Sequence, residues 1–131
     1  MKFEFLQLSK TDSTNNHIKK IKQDSTEYIV LAEQQTGGKG RLGRTFVSEK
    51  GGLYLSISYT PKKDITPEKT LHYTALAAIA VKRVLRKLTD ERFEFDIKWP
   101  NDIYLNGKKV CGILTESVHL GEMFYTIFGI G

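Results

Sequence analysis

Residues 34–44 read Gln34-Gln35-Thr36-Gly37-Gly38-Lys39-Gly40-Arg41-Leu42-Gly43-Arg44. The segment follows an apolar run, residues 28–32, that is typical of a buried strand. Glycine tolerates positive φ and lets the backbone approach a ligand closely, so successive amides here can converge on an anion. The three cations suit a phosphate or a carboxylate. The spacing fits neither a Walker loop nor the dinucleotide fingerprint, because no Gly-Lys-Ser/Thr and no helical pattern complete it. The segment therefore predicts an anion-binding loop, with a mobile basic surface loop as the alternative.

The composition describes one ordinary globular domain. The chain has 131 residues, 40% of them hydrophobic and 27% charged, which suits a soluble protein with a single core. The net charge of +5 favours anionic partners without separating nucleotides from nucleic acid or acidic protein surfaces. No apolar run reaches the ~18 residues of a membrane span, and the single cysteine, Cys111, fits a reducing cytoplasm. Residues 124–131 form an apolar run without a polar tail, so we expect residues 1–131 to be an incomplete domain.

Alternation and turn residues predict a mixed α and β fold. Strands are expected at 2–8, 28–33, 53–59, 93–98, 102–105, 108–118 and 124–131, with an Asn106-Gly107 hairpin turn and a turn at 120–122.

Two helices are expected between these strands. The capping residues 11–15 predict a short helix through Ile18 and Ile21. Thr66 followed by Pro67 predicts the start of a longer one. Its core-facing residues are expected from their helical spacing to be Leu71, Ala75, Ala78, Val81, Leu85 and Leu88.

Polar residues cluster at four places where loops meet the predicted elements. Besides the glycine segment these are residues 12–15, 98–102 and 108–114. Each has an ordinary structural interpretation, namely a helix cap, a turn and a solvent-facing strand. Asp102 is also a candidate Mg²⁺ ligand, whereas the three scattered histidines make zinc improbable, and Cys111 is expected to be a buried small residue.

Taken together, the clusters resemble the catalytic domain of biotin protein ligases (biotin–[acetyl-CoA-carboxylase] ligases). The order and spacing agree across nearly the whole chain, through Asp12-Ser13-Thr14-Asn15, Gln35 to Arg44, Gly51-Gly52-Leu53-Tyr54-Leu55-Ser56, Lys98-Trp99-Pro100-Asn101-Asp102-Ile103-Tyr104, Lys108-Lys109 with Gly112-Ile113-Leu114, and Gly129-Ile130-Gly131. No helix-turn-helix pattern precedes them, so the chain resembles the ligases that do not double as repressors.

The resemblance implies an α+β fold of the class II synthetase-like kind, a mixed sheet with helices packed on it. It also implies a two-step reaction. Biotin and ATP, with Mg²⁺, give biotinyl-5′-adenylate, and a lysine of a biotin carboxyl carrier protein then takes the biotin. Nucleic acid and membrane partners are not expected, and a homodimer is left open.

The resemblance also implies roles for individual residues. Arg41 and Lys109 are the expected catalytic cations. Contacts with biotin or biotinyl-adenylate are expected from Ser13, Thr14, Asn15, Gln35, Gly38, Lys39, Gly40, Arg41, Lys109, Gly112 and Leu114. The nucleotide side is expected to include Arg44, Phe46, Lys98, Asn101 and Asp102, with Asp102 as the Mg²⁺ contact.

Two residues depart from the family pattern. Lys39 stands where arginine is frequent, which keeps the charge but not the bidentate geometry, and Phe46 stands where a tryptophan usually lies near adenine. Three alternatives remain open: a lipoate-attaching ligase, a non-catalytic biotin-binding fragment, and a nucleic-acid binder, whose signature would be steeply salt-dependent retention on DNA.

Overall fold

A computed structural model of the protein describes residues 2–62 and 66–131. Its seven strands are β1 (Phe3–Leu8), β2 (Glu27–Ala32), β3 (Tyr54–Tyr59), β4 (Phe95–Lys98), β5 (Asp102–Leu105), β6 (Lys108–Leu120) and β7 (Met123–Ile130). The two α-helices are α1 (Thr14–Ile21) and α2 (Pro67–Leu88), and a tight turn at Arg41–Gly43 has positive φ at Leu42 and Gly43. Within these described ranges, neither helix is both long and apolar enough to cross a membrane.

The strands form one sheet in the order β1-β2-β3-β7-β6-β5-β4. β1 and β2 are parallel, and every other neighbouring pair is antiparallel. The β5–β6 hairpin turns at Asn106 and Gly107, which have φ of 51° and 76°, as a two-residue turn matched to the strand twist requires. The predicted α+β class, the mixed sheet and this hairpin are confirmed.

The two helices pack on opposite faces of the sheet, because residues alternate between the faces along each strand. On one face, Ile18 of α1 packs with Val30, Tyr125 and Ile127. On the other face, α2 packs on strand residues of β4, β5 and β6 that include Phe95, Ile103, Cys111 and Ile113. The burial predicted for Cys111 is confirmed, and burial raises the pKa of its thiol to about 11.

The core-facing side of α2 differs from the prediction at its two ends. Ala78 is buried, and Val81 and Leu85 pack against the core, as expected. Leu71 and Leu88, however, are 39% and 73% exposed, so their predicted place in the core was wrong. The helix also carries apolar residues outside the predicted stripe, including Leu76, Ile79 and Val84, and spacing alone could not decide which stripe faces the sheet.

Candidate active site

A cavity of about 260 Å³ lies where the N-terminus of α1, the glycine segment and strands β6 and β7 meet. It brings together fourteen of the residues predicted for the site: Ser13, Thr14, Asn15, Gln35, Lys39, Gly40, Arg41, Arg44, Phe46, Asn101, Asp102, Lys109, Gly112 and Leu114. Residues that the prediction did not include also line it: Leu42, Thr45, Ile113, Gly129, Ile130 and Gly131. Segments separated by more than a hundred positions in the sequence therefore share one pocket.

The first wall of the cavity is the polar start of α1. The Ser13 side chain caps the helix by accepting a hydrogen bond from the backbone N–H of Asn16. The Oε1 atom of Gln35 accepts from the backbone N–H of Thr14 at 2.8 Å, and the Oγ1 atom of Thr14 lies 3.1 Å from it. Gln35 Nε2 donates to Ser48 Oγ at 2.8 Å. Residues 13–15 thus begin the helix at its cap and also line the cavity.

Asp12 lies outside the cavity and accepts hydrogen bonds from the first turns of α1. Burial raises the pKa of its carboxyl, but hydrogen bonds from the Ser13 backbone and from the side chains of Asn16, Lys20 and Thr11 outweigh that effect. The pKa of Asp12 therefore lies well below its usual value, and the carboxylate stays ionised beside the helix N-terminus, where negative charge is favourable.

A partly buried carboxylate behind the same wall, Glu116, was not predicted. Asn15 Nδ2 donates to Glu116 Oε2 at 2.7 Å, and Lys19 Nζ binds the other oxygen of Glu116 at 2.7 Å. Ser56, which is fully buried, contacts both Asn15 Oδ1 and Thr14 Oγ1. Glu116 lies four positions after Gly112 on β6, so strand alternation would have placed it on the same face as Gly112 and Leu114.

The opposite wall carries Lys109, and a β-bulge determines where this lysine points. Ile103 pairs with Cys111 but Tyr104 pairs with Lys109, so Val110 is an extra residue in β6. In a regular strand Lys109 would share the face of Cys111, which packs under α2. The bulge turns it to the cavity face with Gly112, a common use of bulges beside active sites.

Lys109 forms an ion pair that is open to the cavity. Its Nζ lies 2.8 Å from Asp102 Oδ1, and the two side chains are 40% and 23% exposed. The same Nζ lies 5.7 Å from the centroid of the Phe46 ring. A flat aromatic floor and an accessible cation therefore meet at this end, and an anionic ligand can compete with Asp102 for the lysine.

The glycine segment bridges the two walls. Lys39 Nζ donates to Asn16 Oδ1 of α1 at 3.4 Å, and Arg41 Nη1 donates to Asn101 Oδ1 at 3.3 Å. Asn101 is itself held to β6, because its Nδ2 donates to the carbonyl of Ile113 and its own carbonyl accepts from the Ile113 N–H. The segment is thus fastened on both sides of the cavity and places its cations over the opening.

The glycines of this segment do not serve the purpose we expected. Gly43 has a positive φ of 74°, but Gly37, Gly38 and Gly40 do not. The N–H groups of Gly37 and Gly40 bind backbone carbonyls, so the prediction that successive amides here converge on an anion was wrong at these positions.

Close packing explains Gly38 instead. A Cβ at this position would lie 2.3 Å from the carbonyl oxygen of Phe46, so a larger residue would push the segment away from its neighbour. Gly38 does not line the cavity, and neither does Lys98, whose Nζ lies over the Tyr104 ring at 5.4 Å. The ligand contacts expected of these two residues stay predictions.

Asp102 is the candidate Mg²⁺ ligand in the cavity wall. No cluster of three or more His, Cys, Asp or Glu side chains is found in the ranges 2–62 and 66–131. Mg²⁺ bound to a nucleotide needs only one or two protein carboxylates, since phosphates and water fill its other positions. Asp102 lines the cavity with Asn101 beside it, so the donor set fits a metal that arrives with a phosphate ligand.

Comparison with known proteins assigns this arrangement to a class. Residues 5–131 match the biotin/lipoate A/B protein ligase family, so the chain belongs to that family. It is 45% identical over 105 residues to the bifunctional ligase/repressor BirA of Bacillus subtilis, covering 79% of this chain and 31% of that protein. It is 37% identical over 126 residues to the biotin–[acetyl-CoA-carboxylase] ligase of Paracoccus denitrificans, covering 95% and 52%.

Solved structures agree with this assignment. The biotin protein ligase of Aquifex aeolicus in complex with biotin and ATP superposes with a TM-score of 0.75 at 31% identity, over 99% of this chain and 52% of that one. The fold is that of biotin protein ligase catalytic domains. The chain spans about half the length of this structure and a third to a half of these relatives. The prediction that the protein does not double as a repressor is therefore left as a prediction.

Proposed function

We propose that the intact protein is a biotin protein ligase that activates biotin with ATP and transfers it to a lysine of a biotin carboxyl carrier protein. The observation that carries the proposal is the cavity itself. One wall presents hydroxyls and amides around Thr14 and Gln35, the opposite wall presents Lys109, and the glycine segment between them adds Arg41 and Arg44. A neutral polar ring with an acidic tail, together with a nucleotide phosphate, matches this division of the site.

In the first step a carboxylate oxygen of biotin attacks the α-phosphorus of ATP. The new O–P bond gives biotinyl-5′-adenylate, and the bond to the β-phosphate breaks to release pyrophosphate. Both reactants are anions, so cations held in place must offset their repulsion and stabilise the charge that develops on the phosphoryl oxygens. Lys109 is suited to this role because its Nζ faces the cavity and exchanges Asp102 for a ligand oxygen.

In the second step the ε-amine of a carrier lysine attacks the acyl carbon of the mixed anhydride. An amide forms, AMP leaves, and the amine loses a proton. Until the carrier arrives, water must be kept from the anhydride. Arg41 supports this by closing over the cavity to Asn101, so the glycine segment acts as a cover as well as a source of charge.

Mg²⁺ belongs to this proposal as a companion of ATP. It would neutralise phosphate charge, and Asp102 would hold it. Phe46 and Arg44 are proposed on the nucleotide side because both line the cavity and the Phe46 ring lies beside Lys109.

Biotin-dependent exchange of pyrophosphate into ATP tests the first step directly. The purified protein should catalyse exchange with biotin, and titration calorimetry should show biotin binding before ATP is added. Lipoate in place of biotin is the matched control. Exchange with lipoate but not biotin would favour the lipoate-attaching alternative, and biotin binding without exchange would favour the non-catalytic one.

A further inference from the structure

Glu116 does not line the cavity, but it contacts Asn15, which does. Both of its carboxylate oxygens are hydrogen-bonded. Its two carboxylate oxygens take separate donors, Asn15 Nδ2 and Lys19 Nζ, each at 2.7 Å. Burial raises the pKa of Glu116, but the hydrogen bonds from Lys19 and Asn15 and the charge of Lys39 outweigh it, and the pKa lies below its usual value. Glu116 is therefore an ionised, acceptor-only group beside Asn15.

An acceptor-only partner fixes the orientation of the Asn15 amide. The NH₂ group must face Glu116, so Oδ1 must face the buried hydroxyl of Ser56, as found. Ser56 Oγ also contacts Thr14 Oγ1 at 2.7 Å, and Thr14 Oγ1 contacts Gln35 Oε1 at 3.1 Å. The chain of contacts thus runs from Glu116 through Asn15, Ser56 and Thr14 to Gln35 at the cavity.

This series of contacts is one proton short of a complete set of hydrogen bonds. The three contacts beyond Asn15 join four oxygen atoms, and the two hydroxyls of Ser56 and Thr14 supply only two protons. When Asn15 Oδ1 takes the proton of Ser56, Thr14 must donate to Ser56. Thr14 Oγ1 and Gln35 Oε1 are then two acceptors side by side in the cavity wall.

We infer that Glu116 is a specificity-determining positioning residue, which keeps this wall one proton short so that it binds an N–H group of the ligand. This inference rests on the proposed function, where the ligand is biotin and the N–H belongs to its ureido ring. A ligand oxygen at the same place would face two acceptors and would be rejected.

The nearly isosteric substitution Glu116→Gln should reverse the Asn15 amide, because Lys19 sets the orientation of the introduced side chain. In Glu116→Gln, the ammonium of Lys19 attracts the carbonyl of the introduced amide, so its NH₂ turns toward Asn15. Asn15 then reverses, Nδ2 donates to Ser56, Ser56 donates to Thr14, and Thr14 donates to Gln35. Every contact from Asn15 to Gln35 then has its own proton without a ligand, so the wall no longer needs a hydrogen-bond donor from the ligand.

The test compares biotin with analogues in which one ureido N–H is replaced by oxygen, each regioisomer in turn, by calorimetry on the full chain. The wild type should prefer biotin over the affected analogue by about 10- to 100-fold. Glu116→Gln should reduce that ratio to about threefold or less, because the wall of this variant no longer lacks a proton.

Two matched variants separate polarity from general damage. Lys19→Met removes the same ion pair but leaves an acceptor facing Asn15, so it should weaken binding of both compounds and keep the ratio. Glu122→Gln, at the exposed β6–β7 turn, should change neither. Melting temperatures of all variants show whether each is folded.

A readout that needs no ligand is the side-chain NMR of Asn15. Its NH₂ protons should show contacts to the Cγ protons of Glu116 in the wild type and to the Cβ protons of Ser56 in Glu116→Gln. An unchanged amide orientation together with an unchanged selectivity ratio would overturn the inference. A wild-type protein that binds no biotin would instead refute the proposed function while leaving the amide orientation measurable.

Discussion

Two lysine–carboxylate pairs in this protein have the same chemistry and opposite settings. Lys22 and Glu27 lie 3.2 Å apart with side chains 0% and 2% exposed. Lys109 and Asp102 lie 2.8 Å apart with side chains 40% and 23% exposed. The difference in accessibility decides which pair an outside anion can enter.

Lys22–Glu27 is called the sealed pair and Lys109–Asp102 the open pair. Groups within the protein satisfy the remaining hydrogen bonds of the sealed pair. Lys22 Nζ also donates to the carbonyl of Thr26 at 2.6 Å, and Glu27 accepts from Ser58 Oγ at 2.7 Å and from the N–H of Thr60 at 2.6 Å. These bonds join the end of α1 to β2 and β3. The pair therefore fixes the C-terminal end of α1 to the sheet, whereas the open pair leaves Lys109 free to exchange partners.

The largest expected effect comes from opening the sealed pair. Lys22→Met leaves a buried carboxylate without its counter-ion, so we expect the free energy of unfolding to fall by about 3–5 kcal/mol. Urea denaturation measures the loss. The control is Lys2→Met, because the Lys2–Glu4 pair is exposed and should change stability by less than about 1 kcal/mol. Equal losses in the two variants would mean that burial does not distinguish these pairs.

Lys109→Met should have the opposite pattern, a large loss of activity with little loss of stability. Removing a cation that stabilises developing phosphoryl charge should slow biotin-dependent pyrophosphate exchange by about 100- to 1,000-fold. Lys108→Met is the matched control, since Lys108 is a neighbouring exposed lysine that does not line the cavity. A comparable slowing in Lys108→Met would point to loss of general positive charge.

Lys109 and its surroundings show how much of the site could be predicted from the sequence. Lys109 was predicted through the resemblance and the elements around it through their periodicity, since both depend on local patterns. The bulge at Val110 that turns Lys109 toward the cavity has no signal in the sequence, because bulges are set by strand pairing. Glu116 was missed for a related reason: its partners, Asn15 and Lys19, lie about a hundred positions away.

The next expected effect concerns the cover over the cavity. Arg41→Ala removes the hydrogen bond to Asn101 and one cation from the opening. We expect biotinyl-adenylate to dissociate about tenfold faster, which corresponds to about 1.4 kcal/mol. Filter retention of radiolabelled adenylate measures the rate. Arg92→Ala, an exposed arginine at the turn after α2, should leave the rate unchanged, and an unchanged rate in Arg41→Ala would remove Arg41 from the cover.

The smallest expected effect is the pH dependence of the sealed pair. Burial raises the pKa of Glu27, but the hydrogen bonds from Ser58 and Thr60 and the charge of Lys22 outweigh it, so the pKa lies below its ordinary value of 4.5. A carboxyl with a depressed pKa stabilises the fold fully above its unfolded pKa, and that contribution is lost as the pH falls through the folded pKa.

The stability difference between the wild type and Glu27→Gln isolates this contribution, because the other carboxyls titrate alike in both proteins. The difference should be constant from pH 7 to about pH 5 and should shrink as the pH falls below 4.5. Urea denaturation at each pH measures it. A difference that persists unchanged down to pH 3 would show that folding does not lower the pKa of Glu27, and therefore that its carboxylate charge does not stabilise the sealed pair.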